Sequence, residues 1–162
     1  MIAMTAFSRR QFVCAACALL AAPGAPAQLL PQGFDPARNP EKDLAAALQV
    51  ARATGRRVLV EVGGEWCSWC HILDRFFANE PELRRYRDAH YVWLNVNFSK
   101  ENPNEGFLRR WPKVAGYPHF FVLDADGRLL VSQDTAPLET LKSYDPVAMR
   151  AFLARWALPG RV

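Results

Sequence analysis

The stretch LVEVGGEWCSWCH, residues 59–71, joins a short apolar run to two cysteines and a histidine. β-Branched residues make 56–63 a buried strand, and the helical spacing of apolar residues over 68–80 predicts that a helix follows. The cysteines therefore lie where a strand ends and a helix begins. Three kinds of chemistry use a Cys-x-x-Cys-His pattern: a dithiol–disulfide pair, c-type haem attachment and zinc binding. The rest of the chain distinguishes among them.

Residues 1–27 have the organisation of a signal peptide. Arg9 and Arg10 precede an apolar run of about 11 residues, and Ala25 and Ala27 form an A-x-A-like cleavage site. The run is too short to span a bilayer, which needs about 20 residues. The paired arginines resemble a bacterial twin-arginine signal, and an ordinary secretory signal is the alternative. Either signal predicts export, into the bacterial periplasm.

Charge and cysteine content narrow the function of the mature chain. The 20 lysines and arginines exceed the 16 acids by +4, and the leader removes two arginines, which leaves about +2. That charge is too small to indicate a nucleic acid or a membrane surface as partner. Cleavage would also leave only Cys67 and Cys70. A disulfide between them closes too small a ring to stabilise the fold much, so the pair favours chemistry over scaffolding.

Helical and strand patterns alternate along the mature chain. We expect an extended, Pro-rich lead-in over 28–40 and a single domain over 41–158. Strands are predicted at 56–63, 91–98, 116–124 and 129–133, and helices at 39–55, 68–80, 84–90 and 145–158; the segment 102–111 could hold a short helix. Strands separated by helices imply parallel pairing, and the tight turn DADGR (124–128) implies an antiparallel hairpin at one edge. The predicted fold is α/β, with a mixed four-stranded sheet covered by helices on both faces.

The helix start gives the two cysteines different roles. Free N–H groups and the helix dipole stabilise a thiolate there, and the thiolate is the attacking species in disulfide exchange. A residue in the first turn is more exposed than one a turn further in, so Cys67 is the predicted nucleophile and Cys70 the resolving thiol. The i, i+3 spacing brings both within disulfide range. The redox-active disulfide is then the only cofactor expected.

Glu61 lies within the predicted strand, on the same side as Leu59 and Gly63 by alternation. A buried carboxyl at this position would have a raised pKa and would exchange protons with Cys70. The alternative is that Glu61 is an edge residue facing solvent. Both interpretations are open from spacing alone.

Together these features resemble the thioredoxin superfamily. In that family a buried acid precedes the first cysteine by six positions and a tryptophan abuts it, as in LVEVGGEWCSWC. The segment VAGYPHFFVLDADGRLL, residues 114–130, resembles the family's cis-proline strand and hairpin. The resemblance covers about residues 40–158. It implies that Glu61 is the buried acid, that Pro118 follows a cis peptide bond, and that Trp66, Trp69, Tyr117 and Pro118 contact the substrate.

A closer likeness is to exported thioredoxin-like proteins with a WCxWCH motif, through WCSWCHILDRFFANEPEL (66–83). The dipeptide between the cysteines is Ser68-Trp69, unlike the Gly-Pro of thioredoxin or the Pro-His of the strong periplasmic oxidant. Because this dipeptide tunes the potential, we expect Ser68, Trp69 and the adjacent His71 to set it. The resemblance implies a monomer that reduces protein or peptide disulfides and receives electrons from an upstream periplasmic donor. A disulfide oxidase or isomerase is the alternative direction.

Two metal chemistries and a binding role are the rivals. Covalent haem would use Cys67, Cys70 and His71, but c-type cytochromes are mostly helical and four strands are predicted here. Zinc would add His119 to the cysteines, which is one ligand short of a closed site. No metal is therefore expected. A peptide-binding module without catalysis would use the same aromatic residues, and the intact cysteine pair argues against it.

Overall fold

The computed structural model describes residues 30–159. The predicted signal peptide lies outside these residues, together with Cys14 and Cys17. The elements, in chain order, are α1 (Pro40–Thr54), β1 (Arg57–Gly63), α2 (Ser68–Asn79), α3 (Pro81–His90), β2 (Tyr91–Asn97), α4 (Glu105–Leu108), β3 (His119–Leu123), β4 (Leu129–Asp134), a 3-10 turn (Ala136–Leu138) and α5 (Pro146–Trp156). In this part of the chain, no helix is both long and apolar enough to cross a membrane.

Capping residues fix where α1 and α5 begin and where α1 ends. The Asn39 side chain accepts hydrogen bonds from the amides of Glu41 and Lys42, and Gly55 ends α1 in the left-handed region at φ 62°. Asp145 caps α5 in the same way through Val147 N at 2.7 Å. Short polar side chains at a helix start satisfy amides that have no partner within the helix.

The four strands form one sheet in the order β2-β1-β3-β4. β1 and β2 are parallel, with Arg57 opposite Tyr91 and Gly63 opposite Asn97. β3 is antiparallel to β1, and β4 is antiparallel to β3. The mixed sheet is as predicted.

The expected parallel pairing of strands separated by helices is wrong for β3. A parallel return would have to carry the chain back along β2, whose seven residues span about 23 Å. The only helix in that connection, α4, has four residues and rises about 6 Å. Instead, β3 begins at the same end of the strands where β2 finishes: Asn97 lies opposite Gly63, and His119 lies opposite Val62.

Helices cover both faces of the sheet, as the α/β prediction required. Val58, Val60 and Val62 pack on the α1 side, whereas Leu59 packs on the side of α2 and α5. Full burial of each such apolar side chain contributes about 1.5–3 kcal/mol. Val62, near the end of β1, lies opposite His119 at the start of β3. The sheet thereby brings the β1–α2 junction close to Pro118.

Candidate active site

Cys67 and Cys70 form a disulfide at the start of α2, with their Cα atoms 5.3 Å apart. Cys67 is the N-cap residue of that helix, and the Cys70 amide donates to Cys67 Sγ at 3.2 Å. An amide that already points at this sulfur would also stabilise the negative charge of a thiolate there.

Both sulfurs are buried in the disulfide form. Cys67 is 3% exposed and Cys70 is 0% exposed, so the order is the expected one but the difference is small. Phe34 of the lead-in packs in one cluster with the two cysteines, and Trp69 and Tyr117 border that cluster. The site is therefore covered by a segment that precedes the predicted domain.

Gly63 makes room for this packing. A Cβ at this position would lie 2.4 Å from Cys70 Sγ and 2.9 Å from Phe34 Cζ. Sequence reasoning missed Phe34. Its signal is faint, since it is merely the single aromatic residue in a polar, Pro-rich stretch.

Glu61 is fully buried on the Leu59 side of β1, so the solvent-facing alternative is wrong. Its Oε2 accepts a hydrogen bond from Asn95 Nδ2 at 2.7 Å, and its Oε1 has no hydrogen-bond partner among the described residues. Burial, and to a smaller extent the charge of Asp74, raise the pKa of Glu61 to about 8, against the lowering effects of Arg87, Trp93 and Asn95. Near neutral pH this side chain holds a proton.

Asn95 is the second residue that sequence reasoning missed. It lies directly opposite Glu61 on β2, and its Oδ1 accepts from Gly33 N at 3.3 Å. It therefore connects the buried acid to the lead-in. The signal in the sequence was a pair of asparagines, Asn95 and Asn97, inside an apolar strand where this residue type is uncommon.

Aromatic side chains form one wall beside the disulfide. Trp66 is 56% exposed, its ring meets the Tyr117 ring edge-on at 5.3 Å, and its Nε1 donates to Phe98 O at 2.7 Å. Tyr117 in turn stacks on the Phe98 ring at 4.9 Å. A cleft of about 800 Å³ lies between Trp66, Phe98, Phe34 and Pro36.

The Tyr117–Pro118 peptide bond is cis. The loop after β4 supports this turn, because Thr135 Oγ1 donates to Pro118 O at 2.9 Å. The same loop supports the motif from the other side: the Tyr144 hydroxyl donates to Trp69 O at 3.4 Å, and the two rings meet edge-on. Trp69 is thus held by packing and is only half-buried.

The remaining motif residues lie at the rim. Ser68 is exposed at the first position of α2. His71 is half-buried, with Nε2 at 2.8 Å from Glu65 O.

The suggested zinc ligands do not converge. His119 pairs with Val62 and lies against Phe121, on the α1 face of the sheet, and its Nε2 is 2.8 Å from Ser132 Oγ. Among residues 30–159, no group of three or more His, Cys, Asp or Glu side chains is placed to hold a metal ion.

Comparisons with known proteins place this site in a family. A sequence model described as thioredoxin-like matches residues 39–125. This chain belongs to that thioredoxin-like family. The match spans α1, β1 and the cysteine pair, and it ends after β3.

Two relatives carry names that describe disulfide chemistry. The chain is 30% identical over 115 residues to the thiol:disulfide interchange protein DsbD of Pseudomonas fluorescens and 27% identical over 82 residues to the disulfide bond reductase DsbH of Chlamydia pneumoniae. These matches include 70% and 46% of this chain. The chain spans 18% of the first relative and 49% of the second, so it corresponds to only part of either protein.

Solved structures share the fold. A disulphide isomerase from Xylella fastidiosa aligns with a TM-score of 0.65 at 19% identity, covering 78% of this chain and 97% of that one. The oxidised C-terminal domain of DsbD from Neisseria meningitidis aligns with a TM-score of 0.56 at 15% identity, covering 77% and 99%. At these identities the likeness establishes the thioredoxin-like fold.

Proposed function

We propose that this protein is an exported thiol–disulfide oxidoreductase that reduces protein or peptide disulfides through Cys67 and Cys70. The observation that carries the proposal is the disulfide at the start of α2, next to a strand that holds a buried acid. The names of the two relatives, an interchange protein and a reductase, support the same chemistry.

The reaction begins from the dithiol. The Cys67 thiolate attacks one substrate sulfur, the substrate S–S bond breaks, and the departing sulfur takes a proton. The Cys70 thiol then loses its proton and attacks Cys67 Sγ, which releases the second substrate thiol and forms the Cys67–Cys70 disulfide. Two electrons pass to the substrate, and an upstream periplasmic dithiol returns them. No group besides the protein's own dithiol is needed.

Glu61 supplies the proton exchange for Cys70 in this scheme. The carboxyl shares its strand face with Gly63, the position that lies against Cys70 Sγ. A pKa of about 8 lets the carboxyl take and give a proton close to physiological pH. General acid–base assistance of this kind is worth about 10²–10⁴ in rate.

The aromatic wall and the proline turn form the substrate groove. In this proposal Trp66, Trp69, Tyr117 and Pro118 contact an extended segment of the substrate. Ser68, Trp69 and His71 set the reduction potential, since they adjoin the two sulfurs in sequence. We infer that the protein acts as a monomer, without nucleic acid.

Export is part of the proposal and rests on the sequence of residues 1–27. The basic pair, the apolar run and the small residues before position 28 support secretion to the periplasm by the twin-arginine or the general route. A periplasmic location suits a protein that exchanges disulfides, because that compartment permits them.

Single-cysteine variants test the proposed roles. In a turbidity assay of insulin reduction, Cys67→Ser and Cys70→Ser should both lose turnover. Only Cys70→Ser should accumulate a mixed disulfide with substrate, detected by mass spectrometry, because the attacking sulfur remains and the resolving one is gone. Turnover by Cys67→Ser at the wild-type rate would contradict the assignment.

A further inference from the structure

We propose that residues 30–38 form a cap whose Phe34 side chain stands in for a side chain of the reaction partner. In this proposal, a thiol-bearing polypeptide reacts with the oxidised site by displacing the cap, and the site selects partners with an apolar residue beside the attacking cysteine. The proposal rests on the proposed function and specifies the partner of its oxidised state.

The first observation is that the attacked sulfur is covered. In the exchange, the partner's thiolate attacks Cys67 Sγ in line with the S–S bond, the partner–Cys67 disulfide forms, and the Cys67–Cys70 bond breaks with Cys70 leaving as the thiolate. Cys67 is nevertheless only 3% exposed. Phe34, itself 5% exposed, packs on the pair, and Gly63 lacks the Cβ that would push the ring away. In this proposal, attack on Cys67 requires Phe34 to move.

The second observation is that the cap is held by a few contacts at its edges. Residues 30–39 contain no helix or strand. The amides of Gly33 and Phe34 reach Asn95 Oδ1 at 3.3 Å and Glu65 Oε1 at 3.4 Å, which are long hydrogen bonds. Shorter contacts at its far end join Arg38 Nε to Asp43 Oδ2 of α1 at 3.0 Å and Asn102 Nδ2 to Pro36 O at 2.8 Å, and Arg38 Nη1 also donates within the cap to Pro31 O at 2.9 Å.

Burial of one phenylalanine favours the closed cap by roughly ten- to hundredfold in population. Opening at that cost is a local event that leaves the sheet and helices intact. The cap therefore slows attack on the disulfide without preventing it.

The third observation is the chemistry of the place that Phe34 fills. It is bordered by Trp69 and Tyr117, and it continues into the cleft lined by Pro36, Trp66 and Phe98. When the cap leaves, this surface meets water unless the partner covers it. An apolar side chain next to the attacking cysteine restores the burial, whereas a polar one does not.

The gating is measured with a small reductant, which needs no recognition. The oxidised mature protein is mixed with dithiothreitol, and thiol appearance is followed by quenching and alkylation. Phe34→Ala should raise the second-order rate constant about tenfold or more, as the population estimate implies. Arg38→Ala should raise it less, because that change only loosens the cap.

Arg52→Ala is the matched control. Like Arg38, this arginine donates to a backbone carbonyl: its Nη1 lies 3.0 Å from Ala125 O. In the described part of the chain, it makes no contact that holds the cap. Its rate should equal that of wild type. Equal rates for wild type and Phe34→Ala would overturn the gating. If circular dichroism shows that Phe34→Ala does not fold, the rate constant of Arg38→Ala is compared with that of wild type instead, because this variant leaves every side chain on the disulfide unchanged. Equal rate constants would then overturn the gating.

Selection of the partner is measured with two isomeric peptides that contain one cysteine. In the first peptide, Phe stands directly before the cysteine and Ser stands four positions away. In the second peptide, the Phe and the Ser are exchanged. Wild type should form the mixed disulfide at Cys67 at least severalfold faster with the first peptide. Equal rates would overturn the selection. These rates need no turnover of protein disulfides, so a failure of the proposed reductase activity would be seen separately in the insulin assay.

Discussion

Glu61 is a buried acid whose two carboxyl oxygens have different surroundings. Its Oε2 reaches Asn95 Nδ2 across the parallel strand pair at 2.7 Å. Because an amide N–H only donates, Oε2 is held as an acceptor whether the carboxyl is ionised or neutral. The proton is therefore expected on Oε1, the oxygen without a hydrogen-bond partner among the described residues.

The buried acid makes the stability of the oxidised protein depend on pH. The pKa of Glu61 is 4.5 in an unfolded chain and about 8 in the fold, so between these values the native state holds a proton that the unfolded state lacks. Stability should fall as pH rises through this window, by at most about 1.4 kcal/mol per pH unit. Glu61→Gln stays neutral and should remove this decline. The unfolding free energy of the variant should therefore rise relative to that of wild type, by the largest amount near pH 8.

Urea unfolding of the oxidised protein from pH 5 to 8.5 measures this difference. Glu82→Gln, at an exposed position on α3, is the control and should follow the wild-type curve. Parallel stability curves for wild type and Glu61→Gln would mean that Glu61 is ionised in the fold.

At the scale of elements, the junction of β1 and α2 is closely packed. Gly63 closes the strand against Cys70 Sγ and the Phe34 ring, and Cys67 caps the helix four residues later. The junction leaves no room for a side chain at position 63, so it requires glycine for space.

Gly63→Ala tests this packing. The added Cβ would lie 2.4 Å from Cys70 Sγ, and the resulting displacement should cost about 1–3 kcal/mol of unfolding free energy in the oxidised protein. Gly106→Ala is the control, because a Cβ there meets nothing within 4 Å, and alanine favours a helix by up to about 1 kcal/mol over glycine. Equal thermal midpoints for the two variants would show that the junction is looser than described.

Helix α5 offers a second test at this scale. Asp145 Oδ1 accepts from the amides of Val147 and Ala148 at 2.7 and 3.1 Å. Asp145→Ala should lower the unfolding free energy by about 1 kcal/mol, measured by urea denaturation. Asp145→Asn keeps the acceptor and should lose much less. A loss of the same size in both variants would assign the effect to the charge instead of the hydrogen bond.

Across the whole molecule, local signals were enough to locate the strands and the longer helices, whereas the segment 102–111 holds only the four-residue α4. The caps at Asn39 and Asp145 and the β-branched run of β1 act within a few residues, so the sequence pattern predicts them. The parallel pairing expected for β3 was wrong because the connection through α4 does not carry the chain back along β2, and no local pattern shows this. The burial of Glu61 was open for a similar reason, since its partner Asn95 lies 34 positions away.

Sequence analysis missed the cap because its contacts also join residues that lie far apart in the chain. Phe34 meets cysteines more than thirty positions further along the chain, and no periodicity marks a single aromatic residue in an irregular segment. The motif itself located the cysteines correctly. What covers them was decided by tertiary packing.

The reduction potential of the Cys67–Cys70 pair is the decisive measurement for the proposed reductase. The mature protein is equilibrated in graded redox buffers, and the free thiols are alkylated and counted by mass spectrometry. We expect a reversible two-electron transition with a midpoint near about −270 mV, the value typical of thioredoxin. A midpoint near about −120 mV, typical of a strong disulfide oxidant, would contradict reduction as the direction. A pair that does not change oxidation state in any buffer would contradict a redox-active dithiol.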